Sequence, residues 1–376
     1  MKRILIIPHH PHFKKLKIRL AELAKFLTKD YEVYLLDWRS ASSRYDWVGR
    51  FGSCLKDLWK LPKIYDSQQL KVIEIPMLHR PLLLASFFNS FWLLKILKKF
   101  NIDIVVNGSC YLFSLPGSKT FKYVFDFADV PVSGQKASFD KFIEKRVSEE
   151  VEKADYITAS SRGLVEYIKN LYNKDAFFLP NGADFERFKE VSLSDVEQVR
   201  TKYGLDRKWV IGHIGYLGAW VDVAFLVEVY REVKKEIPQA ALFLVGGSSQ
   251  FDGLRKKFHD KDIIFAGNID SGEIEKYFLA CDVGVLPHKK SEFQDLAFHI
   301  KLIEFSVARK FVVASHMEEV KRLSLPNVLI ASLDKKAWVD ALLNLRASLW
   351  DPLWDKIVED YDWRKIAERL KEIVGI

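Results

Sequence analysis

Cysteine and methionine are scarce, three of each in 376 residues. Cys54, Cys110 and Cys281 stand far apart, and no two have Cys-x-x-Cys spacing. That argues against a disulfide framework and a cysteine zinc site, and for a reducing, cytoplasmic compartment. Twelve prolines and eighteen glycines are too few for a fibrous or low-complexity chain. Long apolar runs are also missing. Ile4 to Ile7 are the only apolar residues together before Pro8, too short a run for the core of a secretion signal. The stretch from Pro81 to Leu94 is broken by Ser86, Asn89 and Ser90. It falls short of the roughly 20 residues that cross a bilayer. It reads as a buried helix, with lipid contact the alternative. Neither a membrane-spanning nor a secreted chain is expected.

Several catalytic signatures are absent as well. There is no Gly-x-x-x-x-Gly-Lys, no G-x-G-x-x-G, no H-E-x-x-H and no G-x-S-x-G. A P-loop nucleotidase, a dinucleotide dehydrogenase, a zinc protease and a serine hydrolase therefore lose support. No Asp-x-Asp stands at a strand end. The nearest candidate, Asp126-Phe-Ala-Asp129, has the wrong spacing for a metal–diphosphate pair, so no metal site is expected.

What is present is ample apolar material, 49% of residues with 14% aromatic. That suffices for two cores, and the length suits two domains of about 150–200 residues. The net charge of +8 is unevenly spread. Residues 1–100 hold 19 Lys and Arg against 8 Asp and Glu, and the other 276 residues hold 39 against 42. A basic first quarter is either a solvated face or an attraction to an anionic surface such as phospholipid headgroups. Nucleic acid as a partner is not expected, because no RNP-type motif, zinc finger or compact basic run accompanies the charge.

The pattern along the chain is α/β. Lys2–Ile7 and Glu32–Leu36 read as strands around a helix over Lys14–Leu27, a βαβ opening that implies a parallel sheet. Further strands are expected at Ile102–Val106, Tyr123–Phe127, Tyr156–Ala159 and Phe177–Leu179. The series restarts with Trp209–Ile214 and continues through Ala241–Val245, Ile263–Ala266, Val283–Leu286 and Phe311–Ala314. Two doubly wound, Rossmann-like domains are expected, 1–180 and 181–355, with a closing helix over 356–376. The turn Pro180-Asn181-Gly182 marks the break. The cleft between two such domains is the default site.

Three segments of the second half carry the chemistry. The first is Leu179-Pro-Asn-Gly-Ala-Asp-Phe-Glu-Arg-Phe188 at the break. The second is Phe265-Ala-Gly-Asn-Ile269 with Tyr277-Phe-Leu-Ala-Cys-Asp-Val283. The third is His299-Ile-Lys-Leu-Ile-Glu304 at a helix start. Lys301 and Glu304, three apart, share one helix face. A helix N-terminus plus Lys301 suits phosphate, and Glu304 can accept hydrogen bonds from ribose hydroxyls.

These segments resemble the carboxyl-terminal domain of the GT-B glycosyltransferases, especially glycosyltransferase family 4. The resemblance covers roughly residues 177–376; the first 176 match only in α/β layout. It implies a metal-independent hexosyltransferase that uses no cofactor and moves sugar, with retention, from a nucleotide-diphosphate sugar to a hydroxyl. The donor site implied comprises Gly215, Tyr216, Gly218, Asn268, Ile269, His299, Lys301 and Glu304. Asp126 and Asp129 are the candidate catalytic carboxylates, beside Lys301, and His9 and His10, followed by His12, are candidate acceptor contacts. A lipid-linked or anionic glycan acceptor is implied, with cell-envelope polysaccharide synthesis at the inner face of the plasma membrane as the setting. A UDP-sugar 2-epimerase of the same fold and a nucleotide-sugar-binding scaffold are the alternatives. Three departures stand out: Tyr216 sits at the family's arginine position, Leu296 at its first glutamate and Arg309 at a glycine.

Overall fold

The computed structural model describes residues 1–10, 18–38, 62–67, 69–75, 82–110, 112–115, 120–130 and 137–376. His12, Cys54 and the expected helix start at Lys14 lie outside them. The chain divides into two compact units, Met1–Pro180 with Ile366–Ile376, and Asn181–Lys365.

In the first unit the described strands are β1 (Arg3–Ile7), β2 (Glu32–Trp38), β3 (Lys63–Ser67), β4 (Leu70–Ile75), β5 (Ile104–Asn107), β6 (Lys122–Phe127), β7 (Tyr156–Ala159) and β8 (Phe177–Phe178). Their order is β3-β4-β2-β1-β5-β6-β7-β8. All neighbours are parallel except β3 against β4. Ile4 to Ile7 are all at most 1% exposed, the burial on both faces that a helix-covered parallel sheet demands. Helices α1 (Arg19–Leu27), α2 (Leu82–Phe100), α3 (Ala137–Lys153) and α4 (Arg162–Tyr172) connect the strands. The strand order reverses between β1 and β5, which opens a crevice at their carboxyl ends.

The helix over the Pro81–Leu94 run differs from the expected buried one. It runs to Phe100, and one face stays open: Phe87 is 72% exposed, Phe91 49% and Leu94 39%. Trp92, Leu93, Ile96 and Leu97 are buried on the other side. Lys95 lies over the rings of Phe91 and Trp92, its Nζ 4.3 and 5.1 Å from their centroids.

The second unit has β9 (Trp209–Ile214), β10 (Ala240–Val245), β11 (Ile263–Gly267), β12 (Val283–Leu286), β13 (Phe311–Ser315) and β14 (Val328–Ala331). Their order is β11-β10-β9-β12-β13-β14, all parallel. Its helices are α5 (Phe185–Glu190), α6 (Leu193–Lys202), α7 (Val223–Glu236), α8 (Phe251–Lys257), α9 (Ile274–Ala280), α10 (Glu292–Leu296), α11 (Ile300–Val307), α12 (Glu318–Leu323), α13 (Lys335–Leu345) and α14 (Trp354–Val358). Side-chain caps set the starts of several: Asp184 for α5, Ser192 with Asp195 as a capping box for α6, and Asp222 for α7. The reversal point lies between β9 and β12.

The final helix, α15 (Trp363–Val374), buries Trp363, Ile366, Ala367, Leu370 and Val374 at helical spacing. Its last turns belong to the first unit. Lys371 pairs there with Asp30, and Lys122 Nζ donates to Val374 O at 2.7 Å. Among the described residues, no helix is long and apolar enough to cross a membrane.

Candidate functional site

The reversal point of the second unit gathers most of the candidate donor residues. Strand β9 ends at Ile214, and the chain turns at Gly215 with φ of +152°, a backbone that suits glycine. A Cβ on Gly215 would sit 3.9 Å from both His213 Nε2 and Lys301 Cε, so the loop and α11 meet there. Helix α11 approaches the sheet closely because Gly284 in β12 has no side chain. A Cβ at that position would lie 2.8 Å from the Phe305 ring. Phe305 is fully buried and stacks edge-on against Phe278 at 4.8 Å. Burying such a ring contributes roughly 2–3 kcal/mol, which anchors the helix that carries the charged pair.

That pair is Lys301 and Glu304. Lys301 Nζ donates to Glu304 Oε2 at 2.7 Å. The lysine side chain is 31% exposed and the glutamate 3%. Lys301 also lies over the Phe278 ring at 5.3 Å. No side chain caps the first turn of α11; Ile300 N and Leu302 N donate to Phe298 O and His299 O, and the helix's positive end lies toward His299. A half-open ammonium, a nearly closed carboxylate and a helix start form an arrangement able to hold an anion and a hydroxyl together.

The neighbouring loops add shape. Asn268 is exposed after β11 and packs on Gly247, where a Cβ would meet its Oδ1 at 2.7 Å. Ile269, beside it, is half-buried. Tyr216 folds back over Gly218 and packs on Trp220 at 4.9 Å, with 46% and 44% of these side chains exposed. Asp222 caps α7 through Phe225 N at 3.0 Å. His299 is buried with its Nε2 on Gln294 O at 3.0 Å, so that nitrogen serves the loop rather than a ligand.

Three imidazoles line this region, His213 and His299 buried and His288 half-buried. His213, His288 and His299 follow one another with ring centroids 6.4 and 5.1 Å apart. Burial pushes His213 down to about 4 and His288 to about 3, with neighbouring His299 and His213 adding to the latter. His299 is lowered by burial too, against its bond to Gln294 and the pull of Asp295. All three are neutral near pH 7. Only His299 was legible in the sequence as a site residue; nothing local marks the other two.

In the first unit the candidates sit at the carboxyl ends of β1 and β6. Asp126 needs correction as an open base. It is 1% exposed, and Arg19 holds both its oxygens, Nε to Oδ2 and Nη2 to Oδ1, each at 2.9 Å. Thr158 Oγ1 adds a bond at 2.8 Å. The guanidinium also donates to Leu179 O and Pro180 O, so it ties α1 to the end of the domain. Asp129 is different. Its side chain reaches solvent, yet protein packed around the carboxyl displaces much of its water and pushes it up to about 6. Arg19 pulls against that rise and Asp126 adds to it. His9 and His10 follow β1 with their rings tilted against each other, centroids 4.6 Å apart. Burial and then His10 lower His9 to about 4, with Asp126 opposing and Arg19 assisting, and its Nδ1 is enclosed without a hydrogen-bond partner.

A cavity of about 530 Å³ lies elsewhere in the second unit, lined by Phe188, Arg309, Asp355, Asp362 and Arg364 among others. Its charges are paired internally, Arg309 with Asp355 and Arg364 with Asp362, each at 2.6 Å. It contributes nothing to the Lys301 region.

Comparison with known proteins bears on the fold. Residues 208–348 match the family described as "Glycosyl transferases group 1". The "Putative teichuronic acid biosynthesis glycosyltransferase TuaH" of Bacillus subtilis is 24% identical over 242 residues, 58% of this chain and 58% of that protein. The chain thus matches little more than half of that relative's length. Sucrose-phosphate synthase from Thermosynechococcus elongatus superposes with a TM-score of 0.71 at 16% identity, over 100% of this chain and 98% of that one. Anabaena Alr3699/HepE in complex with UDP-glucose superposes at 0.70 and 14% identity, over 100% of both. The fold is that of the GT-B glycosyltransferases.

Within the GT-B fold, the family match covers most of the unit that holds Lys301 and Glu304. Two residues at which the sequence departs from the pattern it resembles have structural counterparts. Arg309, at a glycine position, adopts a left-handed backbone with φ of +54°. Tyr216, at the arginine position, turns its ring away onto Gly218 and Trp220.

Proposed function

We propose that this protein is a glycosyltransferase moving a hexose from a nucleotide-diphosphate donor to a hydroxyl acceptor in polysaccharide or glycoconjugate synthesis. The observation that carries the reading is the Lys301–Glu304 pair beside Gly215, an ammonium and a carboxylate 2.7 Å apart at the start of an uncapped helix. Lys301 and the helix end are assigned to the diphosphate and Glu304 to the ribose. Gly215, Tyr216 and Gly218 form the loop around the diphosphate, and Asn268 with Ile269 is assigned to the base. Charge that develops on the leaving diphosphate is met by these fixed dipoles and the ammonium, without a metal. In a retaining transfer the acceptor hydroxyl loses its proton late, to a group with a depressed or matched acidity. Asp129, at about 6, suits that task.

The first unit is assigned the acceptor, with His9 and His10 in contact with it. A lipid-linked or anionic glycan fits the basic first quarter. The open face of α2, with Phe87, Phe91 and Leu94 beside Lys95, Lys98 and Lys99, has the composition of a helix that rests on an anionic bilayer surface. Binding to vesicles with and without anionic lipid, compared between wild type and Phe87→Ser/Phe91→Ser, reads that assignment.

The central experiment is calorimetry of UDP- and GDP-sugars against wild type and Glu304→Ala, followed by a transfer assay. Loss of a charged hydrogen bond to the ribose predicts about 10- to 100-fold weaker binding. Affinity unchanged by Glu304→Ala sinks the site. Turnover of a UDP-sugar without acceptor would identify an epimerase instead.

A further inference from the structure

His213 makes one hydrogen bond and leaves one nitrogen idle. Its Nδ1 lies 3.0 Å from Val285 O, and since a carbonyl only accepts, Nδ1 carries the proton. In the neutral ring Nε2 is then a bare lone pair. It is enclosed and has no hydrogen-bond partner, in a residue 3% exposed. Buried polar nitrogens are seldom left so. A Cβ at Gly215 would lie 3.9 Å from this nitrogen and 3.9 Å from Lys301 Cε, so Gly215 and Lys301 are its near neighbours.

The surroundings explain why the ring stays neutral when nothing is bound. Lys301 faces it from α11, and His288 from the chain after β12, itself beside His299. The carbonyls of Val285 and Tyr216 are the groups that favour its charged form, and Asp295 acts only at the distance of His299. A second enclosed and unpartnered nitrogen, His288 Nδ1, lies in the same row. The row therefore holds latent positive charge beside a loop that has tyrosine, not arginine, at position 216.

We propose that His213 is a proton-linked anion receptor: when a doubly charged phosphate-like group settles over Gly215 against Lys301, Nε2 takes up one proton from solvent and donates it to an anion oxygen. The Nδ1–H bond to Val285 O persists, no other bond changes, and the proton returns to solvent when the anion leaves. This rests on the reading of the Gly215 loop as the diphosphate end of the donor site, and adds to it a charge supplied only on occupancy. An imidazolium enclosed here without an anion would face Lys301, and the one carboxylate on that lysine, Glu304, is already engaged by it. With the anion in place the balance reverses, so the charged form of His213 and the bound anion stabilise each other.

The test uses two probes of constant charge near neutrality, sulfate and UDP-glucose. Ring NMR signals of His213, assigned by their loss in His213→Asn, are followed against pH. Without anion the ring stays neutral down to about 4. With saturating sulfate its titration moves up by about two pH units, a hundredfold coupling. Calorimetry of UDP-glucose near pH 5, in two buffers of different protonation heat, shows proton uptake on binding. Affinity rises about fivefold for each unit of falling pH between about 6 and 4 and is flat above about 7. In His213→Asn both the uptake and the slope vanish; a merely structural role would lower affinity equally at every pH and leave the slope. UDP-glucose binding with no proton uptake and a flat pH profile overturns the proposal and leaves the donor reading standing. Sulfate coupling without binding of any nucleotide sugar supports the receptor and removes the donor reading. No movement of the His213 titration with either probe overturns the proposal.

Discussion

Both units place a cation and a carboxylate near a reversal point of a parallel sheet, and use them oppositely. Arg19 and Asp126 have side chains 5% and 0% exposed, with the guanidinium bonded to the carboxylate and to two carbonyls. Lys301 and Glu304 also pair, but the lysine keeps 31% of its side chain open. The same charge chemistry thus closes a domain in one unit and, on the proposed reading, leaves a place for a ligand in the other. Exposure of the cation, rather than the presence of the pair, separates structural from functional roles.

The largest effect is expected where the pair is closed. Arg19→Met leaves Asp126 buried without its partner, and breaking such a pair typically costs about 3–5 kcal/mol. Urea unfolding should show this loss, and the double variant Arg19→Met/Asp126→Leu should regain much of it. If the single variant lost under about 1 kcal/mol, the pair would not be what holds α1 to the end of the domain. Glu304→Gln inverts the pattern. With Lys301 a third exposed, solvent stabilises the remaining charge and unfolding shifts little. Transfer activity, by contrast, should fall about 10- to 100-fold through weaker donor binding. Equal effects on stability from both substitutions would erase the distinction between the units.

That contrast marks the limit of what the sequence makes legible. Strands β7, β9 and β12 are readable to the residue, because each is a short β-branched or apolar run between turn signals. Strand β3 is not: Lys63–Ser67 has only Ile64 and Tyr65 as apolar residues, and it pairs antiparallel at the edge with much of its surface open. Lys301 and Glu304 are readable together because their spacing of three fixes a shared face. Asp126 misleads, because a strand-end aspartate looks the same whether or not an arginine 107 positions away reaches it. His213 and His288 are invisible for the same reason. Their meeting depends on β9 and β12 being neighbours, a property of topology and not of spacing.

The first unit also holds Asp129, an exposed carboxyl after β6, and its pH dependence sharpens the comparison. Desolvation by the protein packed around it raises the pKa of Asp129 to about 6, so it is protonated below that value and ionised above it. A proton acceptor must be ionised, so transfer activity should decline as pH falls below about 6. Asp129→Asn should remove that limb and lower the rate about 100-fold, within the usual range for a lost acid–base group. A pH limb that persists in the variant would assign it to another group and remove Asp129 from the reaction.

The smallest expected effect concerns a charge pair that serves neither purpose. Arg309 occupies a left-handed backbone, φ +54°, after α11, and its guanidinium meets Asp355 at 2.6 Å with 64% of the side chain exposed. A non-glycine residue in that conformation costs about 1 kcal/mol or more, whereas a surface pair contributes about 0–1 kcal/mol. Arg309→Gly gives up the weaker term and relieves the stronger one, though it also loosens the unfolded chain, which opposes the gain by a few tenths of a kcal/mol. The net expectation is a rise in melting temperature of about 1–2 °C with donor affinity unchanged. A fall in melting temperature would mean that the Arg309–Asp355 pair outweighs the strain despite its exposure. Exposure would then no longer rank the charge pairs of this protein.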